Sequence, residues 1–158
     1  MYGDRPLSRL ESALYVIVIS VVVLVLFDRM LMYFEYAERA MVETTLLRTQ
    51  SALHTRLAFD VLRGKAPDLD TWSNHNPFDL AHMELVNFAG QRDASDAGAL
   101  EGGKWVYDPA KRELVYAPRY TRGLSVDGGG SALRFRLLIG GPGGLPRFEP
   151  VAQYRWEP

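Results

Sequence analysis

One uncharged stretch near the N-terminus constrains this chain more than any other feature. The 15 residues from Ala13 to Phe27, ALYVIVISVVVLVLF, contain no charge and one hydroxyl, on Ser20. Asp28 and Arg29 interrupt the apolar character, which then resumes, so that residues 13–34 form a stretch of 22. A helix needs about 20 mainly apolar residues to cross a bilayer. We therefore predict a transmembrane helix over residues 13–34, with the charged pair reaching the headgroups.

A cleaved secretory signal is the main alternative to a retained membrane anchor. Such a signal has a basic start, a short apolar stretch and a small-residue cleavage site. Arg5 and Arg9 supply the basic start, but no A-x-A-like site follows Phe27. A retained anchor is therefore the preferred interpretation. Arg29 and Arg39 follow the span, so the basic bias toward a cytoplasmic N-terminus is slight. Because the N-terminal tail is short and only the C-terminal portion is able to fold, residues 1–12 are predicted to be cytoplasmic and residues 35–158 to lie outside the cytoplasm.

Residues 35–64 continue the helical pattern with a charged, periodic sequence, and we call this segment the stalk. Five apolar residues recur in it at spacings of four and seven, as in a helix with one buried stripe. They are Val42, Leu46, Leu53, Leu57 and Val61. This stripe is predicted to pack against the rest of the chain, whereas the charged residues, Glu38 among them, are predicted to lie elsewhere around the helix. Gly64 and Pro67 predict its end.

Residues 65–158 are predicted to form a small β-rich head. The strongest signal is a hairpin, because two aromatic and β-branched runs, 105–107 and 113–116, flank an Asp-Pro turn. Its candidate packing residues are Trp105, Tyr107, Leu114 and Tyr116. Further strands are predicted at residues 83–88, 132–139 and 151–156, and an irregular connection at 66–82. The predicted fold is thus α+β, a long N-terminal helix packed on a small antiparallel β-sheet.

Composition excludes several classes of function. A formal net charge of -1 argues against nucleic acid as a partner, because neutralising phosphates requires a basic surface. The absence of cysteine excludes disulfides and thiolate metal sites. No nucleophile, base and orienting group form a recognisable catalytic arrangement. We therefore predict neither an enzyme nor a cofactor, and expect no small-molecule substrate.

Two groups of residues invite a binding role but have simpler interpretations. His75, Asp79 and His82 are conceivable metal ligands, yet Asn76 and Pro77 interrupt the helix that would align them, and metal sites need three or four ligands. Polar loop residues are the preferred interpretation. The three tryptophans are predicted to anchor the core rather than to form ligand platforms; they are Trp72, Trp105 and Trp156.

The order of these features resembles the type IV pilin-like proteins, which include pilus subunits and the pseudopilins of type II secretion. That family starts its mature chain with an apolar residue and has glutamate at the fifth position, before a long apolar run. Leu7, Glu11 and residues 12–27 match this pattern. In the head, residues 74–80 followed by 103–116 resemble components of mannose-sensitive-haemagglutinin pilus systems, in which an Asn-Pro motif precedes a Trp-rich hairpin.

The N-terminus departs from the family pattern in one respect. The family's leader ends in a glycine that its peptidase requires, and Pro6 stands at that place. The resemblance therefore leaves cleavage open, and an uncleaved accessory component is one alternative. Without the cut there is no free amine beside Glu11, which would then pair with Arg9 or with headgroup water.

The resemblance implies a minor pilin-like or accessory subunit of a type IV pilus or type II secretion machine. It implies an inner-membrane location with the head in the periplasm, and as partners the lipid bilayer and other pilin-like subunits or inner-membrane platform proteins. The implied subunit-assembly residues are Glu11, Leu14, Val18 and Val22. A membrane-anchored periplasmic binding or sensor domain, unrelated to filaments, is the alternative.

Overall fold

A computed structural model describes residues 9–65, 69–94, 100–140 and 144–157, and its fold is α+β. The predicted fold class is confirmed, because one long N-terminal helix precedes a small, mostly antiparallel sheet. The chain divides into two units, Met1–Phe34 and Glu35–Pro158. Pro6 and Leu7, which bear on cleavage, lie outside the described residues.

The first helix, α1, runs over Arg9–Leu62, 54 residues. Within the described part of the chain, it is the one helix that is long and apolar enough to cross a membrane. In its N-terminal unit every residue from 9 to 30 is exposed. Exposed apolar surfaces of this extent generally mark sites of contact with a membrane or with other proteins.

The larger unit contains five strands in one sheet and two in another. The five-stranded sheet has the order β1-β2-β3-β5-β6, in which β1 and β2 are parallel and the other neighbours antiparallel. β4 and β7 form a separate antiparallel pair. The strands are β1 Phe88–Gln91, β2 Lys104–Asp108, β3 Glu113–Ala117, β4 Leu124–Val126, β5 Leu133–Leu138, β6 Arg147–Pro150 and β7 Tyr154–Trp156.

The predicted hairpin is confirmed as β2 and β3, with Trp105 opposite Tyr116 and Tyr107 opposite Leu114. All four side chains are buried in one cluster together with Val42 of α1. Trp105 is the centre of this cluster, with its ring centroid 4.8 Å from that of Tyr116 and 6.1 Å from that of Phe135. The hairpin therefore supplies the apolar face on which α1 packs.

A buried aspartate fixes the turn of this hairpin. Asp108 is fully buried, and its Oδ1 accepts hydrogen bonds from the backbone amides of Ala110, at 3.0 Å, and Lys111, at 3.1 Å. Its Oδ2 accepts one from the amide of Ala94, at 3.2 Å. An aspartate that binds backbone amides a few residues ahead is typical of such turns.

The packing face of α1 differs from the predicted stripe at one end. Val42, Leu53 and Leu57 are buried and Leu46 is half-buried, but Val61 is 59% exposed. Steps of four residues advance about 40° around a helix, so that a stripe with this spacing drifts away from the sheet. The prediction that Val61 packs against the head was wrong for this reason.

The buried face of α1 also contains polar residues beside the apolar stripe, and one of them, Thr49, fills the gap in the predicted stripe between Leu46 and Leu53. They are Glu35, Glu38, Thr45 and Thr49. The two threonine hydroxyls donate to the carbonyl oxygens four residues earlier, each at 2.8 Å, which satisfies them inside the helix. The prediction that Glu38 lies away from the packing face was wrong.

Other elements also differ from the predictions. The connection 66–82 contains two short helices, α2 (Leu69–Asn74) and α3 (Pro77–Leu80). Asn76 caps α3, because its Oδ1 accepts the amide of Phe78 at 3.1 Å, and proline suits the first turn. β1 begins where the predicted strand 83–88 was expected to end. β7 covers only the end of predicted strand 151–156, and pairs outside the main sheet.

The tryptophans are core residues, as predicted. Trp105 and Trp156 belong to the hairpin cluster, and Trp72 lies in a second cluster with Leu53, Leu57 and Leu80. This second cluster joins α1 to the short helices.

The last strand of the main sheet, β6, is held by polar side chains of α1. Gln50 Oε1 accepts the backbone amide of Phe148 at 3.4 Å. His54 Nε2 lies 2.6 Å from the carbonyl oxygen of Pro146. Pro150 lies two residues after Phe148 on the same edge and has no backbone N–H, so it leaves no unpaired donor there.

Candidate functional site on the long helix

Two buried carboxylates lie one turn apart on α1, where the larger unit begins. The side chain of Glu38, in a residue 8% exposed, accepts three hydrogen bonds. Its Oε1 accepts the hydroxyl of Tyr116 at 2.6 Å and the backbone amide of Arg119 at 2.8 Å. Its Oε2 accepts the amide of Tyr120 at 2.9 Å. Such charge-assisted hydrogen bonds make a buried carboxylate tolerable and hold it firmly.

Glu35 makes equivalent contacts one turn earlier. Its Oε1 accepts the backbone amide of Gly123 at 2.8 Å and the indole Nε1 of Trp156 at 3.0 Å. The two glutamates therefore bind both ends of the loop 118–123, which joins β3 to β4, and also the end of β7. We call Glu35, Glu38 and this loop the carboxylate clamp.

Arg39 adds a bond beside the clamp. Its Nη1 donates to the carbonyl oxygen of Trp156 at 2.6 Å, and its Nε lies 2.9 Å from Glu43 Oε1. The hydrogen bond and the charge of Glu43 raise the pKa of Arg39 above its usual value. The clamp and Arg39 thus fix β7 and the β3–β4 loop to one segment of α1.

The clamp changes the acid–base behaviour of one tyrosine. Burial first, and then the hydrogen bond to Glu38 and the negative charge of that residue, raise the pKa of Tyr116 well above its ordinary value of 10.0. In the unfolded chain Tyr116 ionises near that ordinary value. In the folded protein the Tyr116 hydroxyl keeps its proton at higher pH. Its contribution to the free energy of unfolding is therefore complete below about pH 10 and is lost as the pH rises toward the pKa of the folded state.

We expect the free energy of unfolding to depend on alkaline pH differently in the wild-type protein and in Tyr116→Phe. Above about pH 10 wild-type stability should fall more steeply than that of the variant, by up to about 1.4 kcal/mol per pH unit. The variant lacks the bond to Glu38 and starts less stable, so the difference between the two proteins should narrow. Urea midpoints measured across this pH range would test the prediction, and parallel pH profiles would contradict it.

The outward face of α1 has a second distinctive feature. Eight uncharged residues recur at spacings of three and four, and all of them are exposed. They are Ala37, Ala40, Thr44, Leu47, Ser51, Thr55, Ala58 and Leu62, which we call the outward stripe. Leu47 is 67% and Leu62 81% exposed, although the solvent face of a helix usually carries charge. Alternating spacings of three and four are those of helices that pack side by side.

Small residues give this stripe a further property. Alanine, serine and threonine let two helix backbones approach closely. Charged residues, Glu43 and Arg48, lie on either side of the stripe. The chemistry of the stripe thus suits contact with another helix.

The residues predicted for subunit assembly are all exposed on the N-terminal unit of α1. Glu11, Leu14, Val18 and Val22 are spaced three or four apart and so share one side of the helix.

The candidate metal ligands have separate partners. His75 Nδ1 lies 2.7 Å from the carbonyl oxygen of Thr71, and Asp79 Oδ2 accepts a hydrogen bond from Gln91 Nε2 at 3.3 Å. No group of three potential ligands occurs among the described residues.

Sequence reasoning missed the carboxylate clamp and the outward stripe. A signal for the clamp was present, since Glu35, Glu38 and Val42 are spaced three and four apart, like the buried stripe itself. The signal for the outward stripe was the uncharged series that starts at Ala37. Comparison with protein-family models, curated proteins and solved structures finds no match to this chain.

Proposed function

We propose that this protein is a membrane-anchored, pilin-like accessory subunit of a type IV pilus or type II secretion machine. In this proposal α1 spans the bacterial inner membrane and the head lies in the periplasm. The protein acts by lateral packing of α1 against other pilin-like or platform helices, and by contacts of the head surface.

The outward stripe is the observation that carries the proposal. A helix that served only to hold its own head would need one apolar face, and the buried face with Val42, Leu53 and Leu57 fills that need. The stripe from Ala37 to Leu62 is a second uncharged face, which a free-standing domain does not require. Lateral packing against another helix gives this face a partner.

The carboxylate clamp supports the same mechanism. Glu35 and Glu38 bind the β3–β4 loop and β7 to α1, so that the position of the helix in an assembly also fixes the position of the head. A subunit that works by packing gains from such rigid attachment. A sensor that signals through movement of its head would gain from a looser connection.

A charge placed in the outward stripe should abolish partner binding. We expect Leu47→Glu to reduce recovery of other long-helix membrane proteins at least about tenfold, because an unpaired charge would be buried between helices. The measurement is quantitative co-purification from native-host membranes after mild cross-linking. Val18→Arg, which puts a charge in the apolar segment, should reduce membrane insertion as well.

Two control variants make this experiment specific. Thr44→Ala changes the stripe without adding charge and should keep the partners. Gln153→Glu adds the same charge at an exposed site before β7 and should also keep them. Full recovery of partners by Leu47→Glu would overturn the packing mechanism and favour the membrane-anchored binding or sensor domain.

A further inference from the structure

A basic groove lies on the flank of α1, next to the outward stripe, with which it shares Ser51 and Thr55. Its volume is about 730 Å³, and its walls are the C-terminal part of α1 and the residues that end α3. Three arginines line it, Arg48, Arg56 and Arg63, together with His82, whereas Asp60 is the acidic residue in its lining. Phe59, 56% exposed, gives the groove an apolar surface between the charges.

Arg56 is held in a fixed position in this groove. Its Nη1 donates to the carbonyl oxygen of Leu80 at 2.5 Å, and its guanidinium lies 5.7 Å from the centre of the Trp72 ring. The same nitrogen is 3.4 Å from His82 Nε2. A guanidinium fixed by a carbonyl and an aromatic ring offers its remaining donors to a ligand with little loss of entropy.

The spacing of the arginines decides what kind of ligand fits. Arg48, Arg56 and Arg63 are eight and seven residues apart, which corresponds to about 12 and 10.5 Å along a helix axis. A single phosphate or carboxylate group is too small to bridge such distances. An extended polypeptide advances about 3.3 Å per residue and places alternate side chains on opposite faces. Carboxylates four residues apart therefore share one face and lie about 13 Å apart, close enough to both intervals for flexible arginine side chains to reach them. Apolar side chains between the carboxylates would meet Phe59.

From this match we infer that the groove binds an extended, acidic segment of a partner polypeptide. Glutamate or aspartate side chains of the partner pair with Arg48, Arg56 and Arg63, and an apolar side chain packs on Phe59. Cationic contacts spaced along a concave groove suit an extended chain better than a flat bilayer surface. This inference goes beyond the proposed function, since it holds equally for a filament component and for a separate anchored domain.

Peptide binding to the full-length protein in detergent micelles tests this inference. The probe is a fluorescent peptide with a glutamate at every fourth residue and alanine or phenylalanine between the glutamates. We expect saturable binding that weakens as salt rises from about 0.05 to about 0.5 M. The double variant Arg48→Glu/Arg63→Glu should raise the dissociation constant about tenfold or more, because two attractive contacts become repulsive.

Control variants separate groove binding from general charge effects. Arg155→Glu reverses one charge at an exposed site on β7, half the net charge change of the double variant, and should bind the acidic peptide like wild type. The double variant should instead gain binding to a peptide in which lysine replaces glutamate. Arg56 is left intact, since it also supports the fold through Leu80.

Three results would overturn the inference. The first is equal binding of the acidic peptide by wild type and by the folded double variant. The second is equal binding of a peptide with its glutamates clustered at one end. The third is binding to anionic phospholipid vesicles that depends on Arg48 and Arg63 while millimolar peptide does not bind. Loss of partner helices in the Leu47→Glu experiment has no bearing on these outcomes, so the two proposals fail separately.

Discussion

Replacing Glu38 with alanine is expected to lower the free energy of unfolding of the head by about 3–5 kcal/mol. The change removes the acceptor for the Tyr116 hydroxyl and for the amides of Arg119 and Tyr120. These three donors would stay close to the helix without a partner, and the loop would lose its attachment. Urea unfolding of the full-length protein in micelles, followed by tryptophan fluorescence, measures the effect.

A matched control is available five residues further along α1. Glu43 is exposed and pairs with Arg39 on the helix surface, so Glu43→Ala should cost only about 0.5 kcal/mol. Glu38→Gln should fall between the two, because the amide keeps one acceptor oxygen but loses the charge. Similar unfolding midpoints for Glu38→Ala and Glu43→Ala would show that the clamp contributes little to stability.

Truncating Trp105 to alanine should have an effect of similar size, for a different reason. Trp105 is fully buried and its ring contacts those of Phe78, Tyr116 and Phe135. Removing it takes away buried apolar surface and leaves a cavity that the surrounding rings cannot fill. We expect a loss of about 3–5 kcal/mol in the free energy of unfolding.

Circular dichroism during urea unfolding is the suitable readout, because the substitution removes one of the fluorescent residues. Val86→Ala is the control, since Val86 is fully exposed and its truncation should change the free energy of unfolding by no more than about 0.5 kcal/mol. A stable Trp105→Ala variant would mean that the hairpin is held mainly by its backbone pairing and by Asp108.

The sequence predicted those parts of the fold that depend on local patterns. The helix follows from an apolar run and a periodic stripe, and the β2–β3 hairpin from two aromatic runs around Asp108 and Pro109. The short helix α3 was missed because Asn76 and Pro77 were interpreted as breakers. The structure uses both residues to start a helix.

The carboxylate clamp was missed for a different physical reason, because the spacing of Glu35, Glu38 and Val42 does not by itself show that the glutamates are buried. Glutamate on a helix is normally solvated, and the burial of Glu38 depends on Tyr116 and on loop amides that follow it by about 80 residues. Its partners are mainly backbone N–H groups, which every residue type supplies, so sequence composition does not reveal them. The parallel pairing of β1 with β2 also depends on contacts between residues distant in sequence, which local patterns do not reveal.

The capped edge of β6 limits how the head can associate with other chains. An outer strand offers unpaired N–H and C=O groups on which a foreign strand can add. At this edge Gln50 occupies the amide of Phe148, His54 meets the carbonyl of Pro146, and Pro150 has no N–H. The head is therefore poorly suited to add foreign strands or to form cross-β stacks along this side, and crowding several heads together carries a reduced risk of amyloid-like aggregation through this edge.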